Sequence, residues 1–190
     1  MGRVLRAVDP YLRRPVAIKV IRTGEGASLH EVERFVREAQ ITGQLVHPNI
    51  PPLHELAQTV DGEIFFVMQL VEGESLADVM QRERLAGKPE IPRGLLLDLV
   101  KVCEALRYAH RRGVVHRDLK PENILVGSFG EVLLMDWGVA RVLGQEETVG
   151  RPVADERSES GRETTMGSML GTMAYMSPEQ ATGRVDEVEA

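Results

Sequence analysis

The chain has 190 residues, 43% hydrophobic and 27% charged, with a formal net charge of -6. That length allows one large or two small domains with a real core, and the negative balance excludes bulk electrostatic binding to nucleic acid or an anionic membrane. A single cysteine, Cys103, excludes an internal disulfide and fits a reducing compartment. Its place in a helical apolar pattern predicts an inert core thiol. No apolar run reaches membrane-spanning length and no signal-peptide profile opens the chain, so the expectation is a soluble, cytoplasmic protein.

Residues 4–8 and 15–21 are rich in β-branched side chains and flank the turn Asp9-Pro10-Tyr11-Leu12-Arg13-Arg14, which predicts an antiparallel hairpin. Lys19 lies inside the second strand, on one face with Ala17. A lysine among apolar neighbours needs a snorkelling route or a partner anion. A Gly-rich loop at 23–27 leads into a predicted helix over 29–45, striped by Val32, Phe35, Val36 and Ala39. Glu38 borders that stripe, either pairing with Arg34 on the surface or pointing inward to Lys19. His47-Pro48-Asn49 ends the helix. Strands are predicted over 53–59 and 64–70 around Asp61-Gly62, then a short helix from Ser75 with Asp78 in its first turn. A buried helix follows over 95–110, with apolar Leu95, Leu96, Leu99, Val102, Cys103, Leu106 and Ala109.

The stretch from Val114 to Asn123 packs His116, Arg117, Asp118, Lys120, Glu122 and Asn123 between apolar segments. Pro121 withholds a backbone donor and pushes Lys120 out of helical geometry, so a rigid loop is expected. A hairpin of residues 124–126 and 132–135 follows, then Asp136-Trp137-Gly138. Residues 144–168 are polar and lack apolar periodicity, which predicts a mobile segment.

In this order, the pieces resemble the protein-kinase family, most closely the bacterial eukaryotic-like Ser/Thr kinases. Val16-Ala17-Ile18-Lys19 is similar to the family's strand lysine motif, and Arg37-Glu38-Ala39 to the glutamate of its small-lobe helix. His116-Arg117-Asp118-Leu119-Lys120-Pro121-Glu122-Asn123 resembles the catalytic loop H-R-D-x-x-x-x-N, Asp136-Trp137-Gly138 the metal-binding D-F-G, and Ser177-Pro178-Glu179 the A-P-E. The implied fold is α+β and two-lobed, a small antiparallel sheet with one helix beside a mostly helical lobe. The resemblance divides a partial kinase domain, 1–190, into a small lobe at 1–70 and a large lobe at 71–190.

The resemblance also implies roles. Lys19 would hold the α- and β-phosphates of ATP and Glu38 would hold Lys19. Asn123 and Asp136 would offer hard oxygens to Mg²⁺. Asp118 would accept the proton of the attacking hydroxyl, and Lys120 would face the γ-phosphate. His116 reads as a packing and hydrogen-bonding residue. The adenine pocket would be formed by Val4, Ala17, Met68 as gatekeeper, the Gln69–Val71 hinge, and Leu125 as floor, with Gly2 left from the loop that covers the phosphates. Arg117 would receive a regulatory phosphate from Thr164, Thr165 or Ser168. Thr172 and Lys120 favour Ser/Thr acceptors on protein substrates.

Three departures stand beside the match. Only Gly2 and Val4 remain of the Gly-rich loop, so the first strand is expected to be missing. The chain ends shortly after Glu179, leaving an expected incomplete large lobe. Trp137 replaces the usual Phe. Two functional expectations follow: a Ser/Thr protein kinase, or a truncated, catalytically weak nucleotide- or protein-binding module.

Overall fold

The computed structural model describes residues 3–21, 28–87, 93–144 and 174–182. Its first lobe is an antiparallel sheet in the order β1-β2-β4-β3, from β1 (Arg3–Asp9), β2 (Arg14–Ile21), β3 (Leu53–Gln58) and β4 (Ile64–Gln69). The β1–β2 turn is shaped by Asp9, whose carboxylate accepts from the amides of Tyr11 at 3.0 Å and Leu12 at 3.1 Å. Helix α1 (Leu29–Gln44) begins at a capping box in which Ser28 and Glu31 each bond the other's backbone amide. Its stripe buries Phe35 and Ala39 against Ile21 and Phe66, with the two phenyl centroids 4.9 Å apart. The strand pairing sets Lys19 opposite Val4 on one side and Phe66 on the other.

The second lobe starts with β5 (Gly73–Ser75) and α2 (Leu76–Leu85), which Ser75 caps by accepting from the Asp78 amide at 3.1 Å. The long helix α3 (Arg93–Arg111) follows, then β6 (Val114–Val115), β7 (Ile124–Gly127), β8 (Val132–Leu134), β9 (Arg141–Val142) and the short α4 (Pro178–Ala181). β7 and β8 form the expected hairpin, and β5 adds to its edge. The loop expected over 116–123 begins directly after a short strand and ends in a turn of helix. Val114 and Val115 pair with β9, and Pro121–Asn123 turns as a 3₁₀ helix. Two buried valines found a strand partner far along the chain, which no local pattern announces.

The expectation of a buried α3 with an inert core thiol is corrected. Val102, Ala105 and Ala109 are buried, whereas Leu96, Leu97, Leu99, Val100 and Cys103 are exposed. Each helical step turns the side chain by about 100°, so Cys103 leaves the face that Val102 occupies. Because α3 is apolar on both sides, periodicity alone did not select the inner one.

The lobes are fastened by the segment after α1. Asn49 accepts from the Leu134 amide at 2.8 Å through its carbonyl, and its side-chain amide donates to Val132 O at 2.9 Å. Nearby, the Val46 amide donates to the Tyr108 hydroxyl at 3.1 Å, and the His47 ring lies 5.2 Å from that of Tyr108. Ile41, Leu45 and Ile50 then enter the same core as Val102, Leu134 and Trp137. Among the described residues no helix is long and apolar enough to cross a membrane. Asn49→Ala removes the donor to the Val132 carbonyl, so urea unfolding should show a stability loss of about 1–3 kcal/mol with an unchanged m-value.

Candidate active site

The site forms where the loop after β6 meets the residues after β8. His116 is 1% exposed, with its ring edge-on to Trp137 at a centroid distance of 4.6 Å. Its Nδ1 accepts from the Asp118 amide at 3.2 Å, so Nε2 carries the proton and donates to Met135 O at 2.9 Å. Burial pushes this imidazole below its ordinary pKa, with the Met135 carbonyl and the Asp118 charge opposing. The packing and hydrogen-bonding part expected of His116 is therefore what its surroundings supply. The loop is tied to the same strand end again where the Met135 amide donates to Asn123 O at 2.7 Å.

Arg117 has a left-handed φ of 64°, and its Nε donates to Val139 O at 2.8 Å. Next to it, Asp118 Oδ2 accepts from Lys120 Nζ at 2.8 Å and from Asn123 Nδ2 at 3.0 Å. Asn123 Nδ2 also donates to the Asp118 carbonyl at 2.8 Å. Pro121 acts as expected: Lys120 before it is extended, with φ -156° and ψ 158°. This turns the ammonium back onto Asp118.

Asp136 is exposed and also left-handed, with φ 59°. Trp137 is buried and donates its indole N–H to Leu134 O at 3.1 Å, which gives its one polar atom a partner in the core. Gly138 passes between two carboxylates. A Cβ on it would lie 3.2 Å from Asp136 Oδ1 and 3.4 Å from Glu38 Oε2.

Glu38 points inward. Its Oε1 and Oε2 accept from Lys19 Nζ at 2.5 and 2.7 Å, and the ammonium lies 5.6 Å from the Phe66 ring centroid. The alternatives left open at Lys19 thus resolve to a partner anion rather than snorkelling. Burial raises the Glu38 carboxyl above the ordinary glutamate range, Asp136 adds to this, and Lys19 opposes it.

Among the other anticipated residues, Ala17 is buried and pairs with half-buried Met68 across β2 and β4. Val71 and Leu125 are half-buried, while Val4 and Gln69 are exposed. Gly2, Thr164, Thr165, Ser168 and Thr172 lie outside the described residues, as does the polar segment from 145 onward. No group of three His, Cys, Asp or Glu able to hold a metal occurs among the described residues. Asn123 and Asp136 still fit Mg²⁺. With Nδ2 of Asn123 committed to Asp118, its remaining donor atom is the amide oxygen, and Mg²⁺ commonly takes one or two protein oxygens plus phosphates and water.

Gln180, which sequence reasoning did not select, donates from Nε2 to Arg117 O at 2.7 Å. The S-x-x-Q capping pattern at Ser177 was readable, but the contact across 63 residues was not.

A sheet lobe carrying a buried lysine–glutamate pair, joined to a helical lobe that carries the Asp118 loop and Asp136, defines a protein-kinase-like α+β fold. The family profile described as Protein kinase domain matches residues 1–187, and the chain belongs to that family. It is 38% identical over 97% of its length to the serine/threonine-protein kinase PknD of Protochlamydia amoebophila. It is similarly 38% identical to PknD of Chlamydia pneumoniae and 37% identical to that of Chlamydia trachomatis serovar D, over 96% of its length in both. The chain spans only about a fifth of the length of these relatives, 20% and 21%.

The lowered pKa of His116 has a stability consequence. The folded state favours the neutral ring, so the unfolded state binds more protons, and stability is lost as pH falls below the ordinary value of 6.5. His116→Gln retains a donor for Met135 but does not titrate. Its Tm should therefore fall less than that of the parent between about pH 7.5 and about pH 5.5, as scanning calorimetry would read.

Proposed function

We propose that this chain is the catalytic part of a Ser/Thr protein kinase, transferring the γ-phosphate of ATP to Ser or Thr hydroxyls of proteins. The observation that carries the reading is the Lys19–Glu38 pair standing beside Asp136, with Asp118 held by Lys120 and Asn123. Phosphoryl transfer asks a protein mainly to align two oxygens and neutralise charge on the moving group. Lys19 supplies positive charge to the α- and β-phosphates, and Glu38 fixes where that charge sits. Asp118 takes the proton of the acceptor hydroxyl as its oxygen bonds to the γ-phosphorus and the bond to the β-phosphate oxygen breaks, releasing ADP. Lys120 then balances charge on the γ-phosphoryl oxygens. Mg²⁺, held through Asn123 and Asp136, would neutralise phosphate charge.

Adenine is assigned to the space lined by Val4, Ala17, Met68, Gln69, Val71 and Leu125, with Gly2 covering the phosphates. Residues 1–70 and 71–190 form the two lobes that enclose it. Arg117 is assigned as receptor for a phosphate on Thr164, Thr165 or Ser168, and Thr172 as a Ser/Thr-type residue near the acceptor. The substrates are proteins rather than nucleic acid, and the domain is assigned to the cytoplasm, where ATP is supplied.

The direct test is transfer from labelled ATP with Mg²⁺ to a generic protein acceptor. Asp118→Asn should lower kcat by roughly 10²- to 10⁴-fold. Equal signal from both proteins would overturn the reading, and ATP binding without transfer would indicate a nucleotide-binding module instead. Glu38→Gln keeps a hydrogen bond but loses the charge, so kcat/KM should fall about ten- to a hundredfold. Because burial raises Glu38, protonation that releases Lys19 starts at a higher pH than for an ordinary glutamate. The acid limb of the parent's pH–rate profile should begin there and shift to lower pH in Glu38→Gln, where the base Asp118 still has to be ionised.

A further inference from the structure

We infer that Gln180 is a positioning residue for Asp118, acting through the carbonyl of Arg117; this rests on the reading of Asp118 as the base. The peptide unit joining Arg117 to Asp118 is held at both ends. Its carbonyl accepts from Gln180 Nε2 at 2.7 Å, and its N–H donates to His116 Nδ1 at 3.2 Å. Fixing the plane of that peptide fixes the direction in which the Asp118 side chain leaves the backbone.

The clamp matters because Arg117 is a non-glycine residue at φ 64°. Such a conformation persists only where surrounding contacts over-determine it. Such contacts come from His116 within the loop, from Val139 through the Arg117 Nε at 2.8 Å, and from α4 through Gln180. Gln180 is itself oriented, since its Oε1 accepts from the Ser177 amide at 3.3 Å and its own amide donates to Ser177 Oγ at 3.3 Å. One side chain therefore uses its acceptor to close the first turn of α4 and its donor to hold the loop. The position of Asp118 thereby depends on where α4 sits.

The two uses separate by mutation. Gln180→Glu keeps an acceptor for the Ser177 amide, as capping boxes accept either residue, but loses the donor and sets a carboxylate against the Arg117 carbonyl. Ser177→Ala removes the hydroxyl cap and keeps the donor. With the full chain, Gln180→Glu should lower kcat roughly ten- to a hundredfold while leaving KM for ATP within about twofold. Backbone amide exchange in the peptide containing Asp118 should rise about tenfold. Ser177→Ala should lower Tm yet keep kcat within about twofold of the parent. Parent-like kcat and exchange in Gln180→Glu would overturn the inference, as would an equal kcat loss in Ser177→Ala. If the parent itself transfers no phosphate, the reading of Asp118 fails, while the exchange measurement still decides whether Gln180 holds the loop.

Discussion

A lysine and a glutamate drawn largely out of water, with side chains 22% and 12% exposed, set the terms for the first lobe. Neither charge is tolerable there without the other. Glu38 reaches Lys19 because the Phe35–Ala39 stripe seats α1 on the sheet and because β2 pairs Lys19 beside Phe66. Asp136 raises the cost of the arrangement by placing a second carboxylate just across Gly138. A side chain at 138 would have to enter the space between them. The pair is thus a condition on three elements at once, not a contact between two residues.

The second lobe solves a different problem. Arg117 and Asp136 are both left-handed, a conformation that costs of order 1–3 kcal/mol at a non-glycine residue. Between them stands a buried edge-to-face pair, His116 on Trp137, each ring with its polar atom bonded to a backbone carbonyl of the β8 end. The aromatic pair and its two carbonyl bonds anchor the ends from which both strained residues spring. Trp137 carries out the burial expected of the family's Phe and adds a hydrogen bond that Phe lacks.

Much of this was legible in the chain. The hairpins, α1 with its stripe, the Ser75 cap and the extended Lys120 follow from β-branching, period, capping chemistry and Pro121. The family pattern also named Lys19, Glu38, Asp118, Asn123 and Asp136, which the fold brings to two neighbouring groups. What failed was non-local. The pairing of Val114 and Val115 went unread because their partner β9 lies beyond another hairpin, and Cys103 read as core because α3 is apolar on two faces. Gln180 and Asn49 went unselected for the same reason. Their side chains look like ordinary caps and loop amides until distant carbonyls come within reach.

The route taken by the chain after α1 has a consequence for how the molecule holds together. Among the described residues, four buried side chains make up the first lobe's own cluster, with Val32, Leu53, Ile64 and Met68 packed against it. The end of α1 and Ile50 are instead interior to the second lobe's core, and Asn49 completes the edge of β8. One helix, α1, therefore contributes to both apolar clusters. Loss of the second lobe's core would also withdraw the seat of the C-terminal end of α1.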